Sequence, residues 1–311
     1  MTRQSSPAAK GLRAAALLAA GFLAARAVDG RPESPSEPVV FGPLAVKGLV
    51  PPMTGETYPH AIRFARPVWL KGFALSLLDE RREPAAERGM FCHASFARVV
   101  PGGLPRVFLN FQDGYEEFRL PPGYGLPLAA GTYHLLSMLQ SGSPDTDRAF
   151  HLRRVVDAVP QDEEPGLAPL RTLNVGVEGS ALGLRPVQPE RLYHDGVRCS
   201  HWWVPPGERE FSVSFTAPED GSVKYLAFHL HAYAKEVRLS EEGGRAGAPL
   251  YRGRVELDER GEIRRMPFYS SAEGFPLAAG KRYRYSVVYD NTSGAPVSGM
   301  AGMIVFYHPR K

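Results

Sequence analysis

Cysteine is scarce in this chain: 311 residues contain two, Cys92 and Cys199. That excludes a small disulfide-dense scaffold and a four-cysteine zinc site. Long apolar runs are missing as well. The longest, Ala14 to Ala25, falls short of the roughly 20 residues needed to cross a bilayer. Extended stretches with a 3.6-residue apolar period are absent, which argues against helical bundles. No excess of one charge survives scrutiny either. The formal net charge is +4, but Arg3, Lys10, Arg13 and Arg26 sit in the first 27 residues with no acid among them, leaving 33 basic against 33 acidic groups beyond. With no basic stripe and no interleaving of aromatic and basic residues, nucleic acid is not an expected partner. No Gly-Xaa-Ser-Xaa-Gly elbow, phosphate loop, dinucleotide fingerprint or His-Glu-Xaa-Xaa-His is present. Hydrolase, kinase and nicotinamide-enzyme readings therefore have no motif behind them.

What is present begins with an export signal. Basic residues precede the apolar run, and Ala25-Arg26-Ala27 fits a small-residue cleavage site, so residues 1–27 read as a secretory signal peptide. The rival reading is an uncleaved anchor. A secreted or periplasmic protein without a stable membrane anchor is expected. Residues 28–38, rich in Pro, Glu, Ser and Arg, form a flexible lead-in.

From Val39 onward, short alternating or apolar runs are separated by Pro and Gly. Val68–Leu78, Met90–Val100, Val107–Phe111, Thr132–Met138, Phe150–Val156, Leu170–Val177 and Phe211–Phe215 are strand candidates. Strands this frequent predict an all-β chain of antiparallel sandwiches. Asp79 to Glu87 reads as a loop rather than a helical turn. The acidic, proline-bearing stretch at 159–166 is the expected linker. It divides an N-terminal β-sandwich domain, 39–158, from a C-terminal one, 167–311. Pro127-Leu-Ala-Ala-Gly131 recurs identically as Pro276-Leu-Ala-Ala-Gly280, an internal echo pointing to two related halves.

His229-Leu-His231 lies in a strand-like run. Residues i and i+2 of a strand share a face, so two imidazoles stand side by side in a geometry that suits a transition metal. Further on, Met300 stands nine residues before Pro309 in an aromatic-rich run, and Phe275-Pro-Leu-Ala-Ala-Gly280 leads into a Tyr-bearing strand ending at Asn291.

These features resemble the C-terminal domain of the copper type II, ascorbate-dependent monooxygenases, which include peptidylglycine alpha-hydroxylating monooxygenase and dopamine beta-hydroxylase. The resemblance covers Leu167 to Pro309 and touches the first half faintly. It implies two tandem jelly-roll-like domains and a copper held by His229, His231 and Met300, with Met303 as the fallback thioether. It also implies O2 activation, ascorbate or another one-electron reductant, and an unidentified small-molecule or peptide substrate. The family's first-domain copper, with its adjacent His pair, falls on Cys92 and His93 here, and its third ligand on Met138. That set reads either as a soft-ligand second site or as a degraded one whose Cys and Met pack a core. Where the peptide-hydroxylating members carry polar groups, this chain has Ala227, Ala301 and Gly302, so capture of a substrate carboxylate is not expected. Two other functions stay open beside the oxygenase: a non-catalytic copper-binding or copper-handling protein, and a metal-free sandwich for adhesion or assembly. Trp202 and Trp203 are expected to pack across the domain seam, His194, His201 and Cys199 to be loop residues, and Asn291-Thr-Ser is a glycosylation sequon meaningful in a eukaryotic secretory host.

Overall fold

The computed structural model describes residues 37–46, 57–85, 91–99, 106–139, 148–177, 202–243 and 249–310. The expected signal peptide and most of the lead-in, together with His194, Cys199 and His201, lie outside them. The described residues are all-β, in antiparallel sheets stacked as sandwiches.

The strands of the first part are β1 (Val39–Val46), β2 (Thr57–Phe64), β3 (Val68–Leu78), β4 (Phe91–Arg98), β5 (Arg106–Phe111), β6 (Glu117–Arg119), β7 (Tyr124–Leu128), β8 (Gly131–Leu139), β9 (Arg148–Pro160) and β10 (Ala168–Pro169). One sheet runs β1-β9-β3-β7-β10, with β6 also on β3, and the other runs β2-β8-β4-β5. Their facing surfaces meet through aromatic side chains. Phe73 of β3 contacts Phe96 of β4 and Phe111 of β5 at ring-centroid distances of 5.4 and 4.9 Å. Burying such rings supplies most of the driving force for this layer.

The second part holds β11 (Arg171–Gly176), β12 (Trp202–Val204), β13 (Gly207–Thr216), β14 (Gly221–Leu230), β15 (Ala234–Glu241), β16 (Tyr251–Arg254), β17 (Glu256–Leu257), β18 (Ile263–Arg265), β19 (Tyr269–Leu277), β20 (Arg282–Asn291), β21 (Val297–Gly299) and β22 (Ala301–Pro309). Its two main sheets are β11-β22-β14-β19 and β13-β20-β15-β16, with β12-β21 and β17-β18 as small ribbons. Every residue of β14 is buried. One of its faces packs on the second sandwich, where Phe228 stacks on Tyr251 and Tyr285. The other face meets the first part of the chain, so a strand that would ordinarily alternate reads as a continuous buried run.

The repeated Pro-Leu-Ala-Ala-Gly piece has a structural counterpart in each part. It carries the chain from β7 to β8 and from β19 to β20, each time out of one sheet of a sandwich and into its partner. The closing glycines, Gly131 and Gly280, have φ of 138° and 72°, conformations that a side chain disfavours. The acidic stretch after β9 is fastened to the first part. Arg66 pairs with Asp162 and Glu163, Lys71 Nζ lies 2.9 Å from Glu164, and β10 then pairs in parallel with β7. Asp79 closes the loop after β3 by accepting hydrogen bonds from the Arg81 and Glu83 amides.

Candidate functional site

The two parts meet where β5 and the turn after it face β14, β22 and β11. Polar and aromatic groups join across this seam. Gln112 reaches the backbone of Leu230, donating from Nε2 to its carbonyl at 2.7 Å and accepting from its amide at 3.0 Å. The hydroxyls of Tyr115 and Tyr225 lie 3.1 Å apart in a fully buried contact. Burial pushes the pKa of both well up, since a phenolate there would be stripped of water. Phe118 packs on Tyr225 and Phe306.

Leu230 separates the two expected ligands, and the Gln112 clamp therefore fixes the backbone from which both imidazoles project. The rings of His229 and His231 pack edge-on with centroids 5.6 Å apart. A third imidazole joins from the first part of the chain: His93 of β4 lies 5.4 Å from His229, with the ring planes at 88°. His229 is thus the middle ring of a short column crossing the seam. His231 is oriented by its Nδ1, 3.3 Å from the Ser298 carbonyl oxygen. Burial holds the pKa of His93 at about 4, against an ordinary 6.5.

Met300 lies beside this column. It lines the same cavity as His229, and its backbone is held by Tyr289, whose hydroxyl donates to the Met300 carbonyl at 2.5 Å and accepts from its amide at 3.2 Å. The fallback Met303 pairs with Phe228 and is fully buried. It points to the face opposite that of His229, whose cross-strand partner is Gly302. On β4, a bulge between Phe91 and His93 takes Cys92 out of the ladder, and His93 stands directly opposite Met138 of β8. Neighbouring positions of one face are what the sequence places together there. The contact of His93 with His229, across the seam, has no short-range signal in the sequence.

Two smaller expectations change. Trp202 packs within the second part, against Phe211 and Tyr289, not across the seam, and Trp203 is exposed. Asn291 is buried, and its Nδ2 donates to the carbonyls of Val204 and Ala295 at 2.9 and 2.7 Å. The sequon asparagine is thereby committed to holding a loop.

The cavity at His229 is small, about 30 Å³, room for about two waters. Asn110, Asn174, Ala227, Met300 and Gly302 contribute to its wall, and among the described residues no Asp or Glu does. Among the described residues, the pair of carboxylates that acid–base hydrolysis calls for is not at this place. Among the described residues, no group of three or more His, Cys, Asp or Glu is arranged to hold a metal ion. Also among them, no helix is long and apolar enough to cross a membrane.

No family model matches the sequence, and no curated protein does. Similar solved structures include PNGase F, a glycosylasparaginase from Flavobacterium meningosepticum, with 11% identity and a TM-score of 0.40, covering 87% of this chain and 96% of that one. PNGF-II is similar at 8% identity and a TM-score of 0.42, covering 90% and 67%. A triple jelly-roll turret protein of an archaeal virus reaches 10% and 0.22, covering 89% and 60%. Likeness at this level assigns no activity to this chain. None of the three is a copper monooxygenase. With no matching family model and no metal-holding cluster among the described residues, the resemblance to the copper type II monooxygenases falls. The oxygenase activity and the oxidoreductase class drawn from it fall too. The His-Xaa-His pair does not sit on one open strand face: His229 is buried near the end of β14, and His231 stands half-buried in the turn that follows.

Proposed function

We propose that this chain is a non-catalytic, metal-free double sandwich that works in assembly outside the cytoplasm. The observation that carries this reading is the closed seam. Where the sequence concentrates its chemistry, the structure has three imidazoles packed on one another and a cavity of about 30 Å³ with no carboxylate among the described residues of its wall. That leaves no space for a substrate beside the groups that would act on it.

Assembly is favoured by the outer sheet. β13 is its terminal strand and runs for ten residues. Phe211, Val213 and Phe215 alternate along it. An edge of this length is a template for pairing with another chain, and its first half, with Glu208, Arg209 and Glu210, carries charges that would select the partner. Export rests on the basic and apolar character of residues 1–27.

Sedimentation velocity of the exported chain, with and without a chelator, tests this reading. It predicts species larger than a monomer whose share rises with concentration and does not respond to chelation. A monomer at every concentration contradicts it. So does enzymatic turnover, whether release of glycan from a glycopeptide or O2 consumption with ascorbate.

A further inference from the structure

Two arginines face each other at the base of a hairpin in the first part of the chain. Arg98, the last residue of β4, is the direct cross-strand partner of Arg106, the first residue of β5. Residues opposite each other in an antiparallel pair project from the same side, and like charges so placed destabilise the pair. Both cations rest on core rings. The guanidinium carbon of Arg98 lies 5.7 Å from the centre of the Tyr133 ring, and that of Arg106 lies 5.1 Å from the centre of the Phe108 ring, within cation–π range. Phe108 and Tyr133 are buried neighbours, with centroids 5.8 Å apart and planes inclined at 55°.

The surrounding sheet is one-signed. Its four strands, β2, β8, β4 and β5, carry Arg63, Arg98 and Arg106 and contain no Asp or Glu, and the residues joining β4 to β5, Val99-Val-Pro-Gly-Gly-Leu-Pro105, contain none either. Gly131, which closes the Pro-Leu-Ala-Ala-Gly turn, leaves room for one of the cations: a Cβ there would stand 3.4 Å from Arg98 Nη2. The Tyr133 hydroxyl donates to the Ala129 carbonyl of the same turn at 3.0 Å. Burial raises its pKa, and the charges of Arg98 and Arg106 both pull against that rise, so the two guanidiniums act on one hydroxyl. Guanidiniums laid over rings inclined to each other do not share a plane. Two such forks match the oxygen pairs of a tetrahedral anion, whereas a carboxylate offers both of its oxygens in one plane.

We propose that Arg98 and Arg106 form a binding site for a tetrahedral oxyanion, a phosphate or sulfate group. Each guanidinium donates N–H groups to the oxygens of the anion, and the anion's negative charge, near −2 for a phosphate group at neutral pH, removes the repulsion between the two arginines. The buried rings of Tyr133 and Phe108 hold the forks in place before the anion arrives. This site does not depend on the assembly reading and goes beyond it.

Arg106→Gln gives a clean test, because Arg106 is exposed and its loss leaves the core intact. Inorganic phosphate, sulfate and acetate are titrated in turn into the full chain, at an ionic strength held constant with sodium chloride, and the Nε–Hε signals of Arg98 and Arg106 are followed by NMR. The proposal predicts saturable shifts of both signals, fitting one dissociation constant, with phosphate and with sulfate. It also predicts binding weaker by about tenfold or more for acetate, and for phosphate in Arg106→Gln and in Arg98→Gln. Methyl phosphate distinguishes the sources: binding equal to that of inorganic phosphate marks a group displayed by a larger ligand, and weaker binding marks the free ion. Equal binding of acetate overturns the proposal, because the arginines would then be recognising negative charge alone. Shifts of one arginine without the other, undiminished phosphate binding by Arg106→Gln, or shifts that never saturate also overturn it.

Discussion

The carboxamide of Gln112 acts as a one-residue strand for Leu230, making both of the backbone hydrogen bonds that a neighbouring strand would make, at 2.7 and 3.0 Å. The two residues lie 118 positions apart in sequence and belong to different sandwiches. Both partners are buried. Gln112→Ala removes the two bonds at once and leaves a buried amide and carbonyl without partners. The expected loss is about 2–4 kcal/mol of folding stability, read as a lower urea midpoint. A change within about 0.5 kcal/mol would show that the seam does not depend on this clamp.

Asn291 makes a parallel commitment inside the second sandwich. Its side chain donates to Val204 and Ala295 and accepts from the amide and hydroxyl of Ser293. Asn291→Ala is expected to cost about 2–3 kcal/mol. If the chain is produced in a eukaryotic secretory host, the mass of the folded protein should show no glycan at this position. Efficient glycosylation there would contradict the buried placement.

Two imidazoles make stability depend on pH. His93 and His60 both titrate at about 4 when folded, against 6.5 ordinarily. For His93 the cause is burial. For His60 it is burial first, then the charges of Arg154 and His134. Between these values the unfolded chain binds more protons than the folded one. Stability is therefore fully present above pH 6.5 and falls as pH drops towards 4, by up to about 3 kcal/mol for each imidazole. Below 4 these two groups add no further loss. His93→Leu should flatten the dependence of the urea midpoint on pH over this window, leaving the parts of His60 and of His134, whose pKa burial also lowers. An unchanged slope would show that His93 is protonated in the folded state.

Gly274 and Gly302 should respond oppositely to the same substitution. Gly274 has φ of 70°, and a Cβ there would stand 2.1 Å from the Val223 carbonyl oxygen. Gly274→Ala is expected to cost more than about 2 kcal/mol. Gly302→Ala, in open extended backbone, should be neutral or stabilising by up to about 1 kcal/mol. Thermal unfolding of the two variants side by side reads the difference.

The strands were legible because period-2 runs bounded by Pro and Gly are a local property. Val68–Leu78 is a strand end to end, and Val107–Phe111 and Thr132–Met138 lie within one residue of their observed limits. The turn after Leu78 was readable from its charge. The site was legible only in part. The run from Leu226 to Arg238 reads as one strand, but β14 ends at Leu230 and His231 opens the turn into β15, so only His229 of the pair lies in the strand. Residue spacing does not say that β14 is buried on both faces, because its Tyr, Lys and His residues do not look like core. Lys224 is nevertheless buried there, donating to the carbonyls of Ala272 and Glu273. The same hidden burial puts His229 inside the seam between the two parts of the chain. The meeting of His93 with His229, like the pairing of Gln112 with Leu230, is a tertiary fact with no local pattern to announce it.

The proposed reading has His93, His229 and His231 closing a seam and holding no metal. A ligand that binds the folded chain at a thousand times its dissociation constant raises stability by about 4 kcal/mol, so a copper site would be conspicuous on melting. The melting temperature of the chelator-treated protein should be unchanged on adding copper, and His229→Leu should behave identically with and without it. A copper-dependent rise in melting temperature that His229→Leu abolishes would contradict the account.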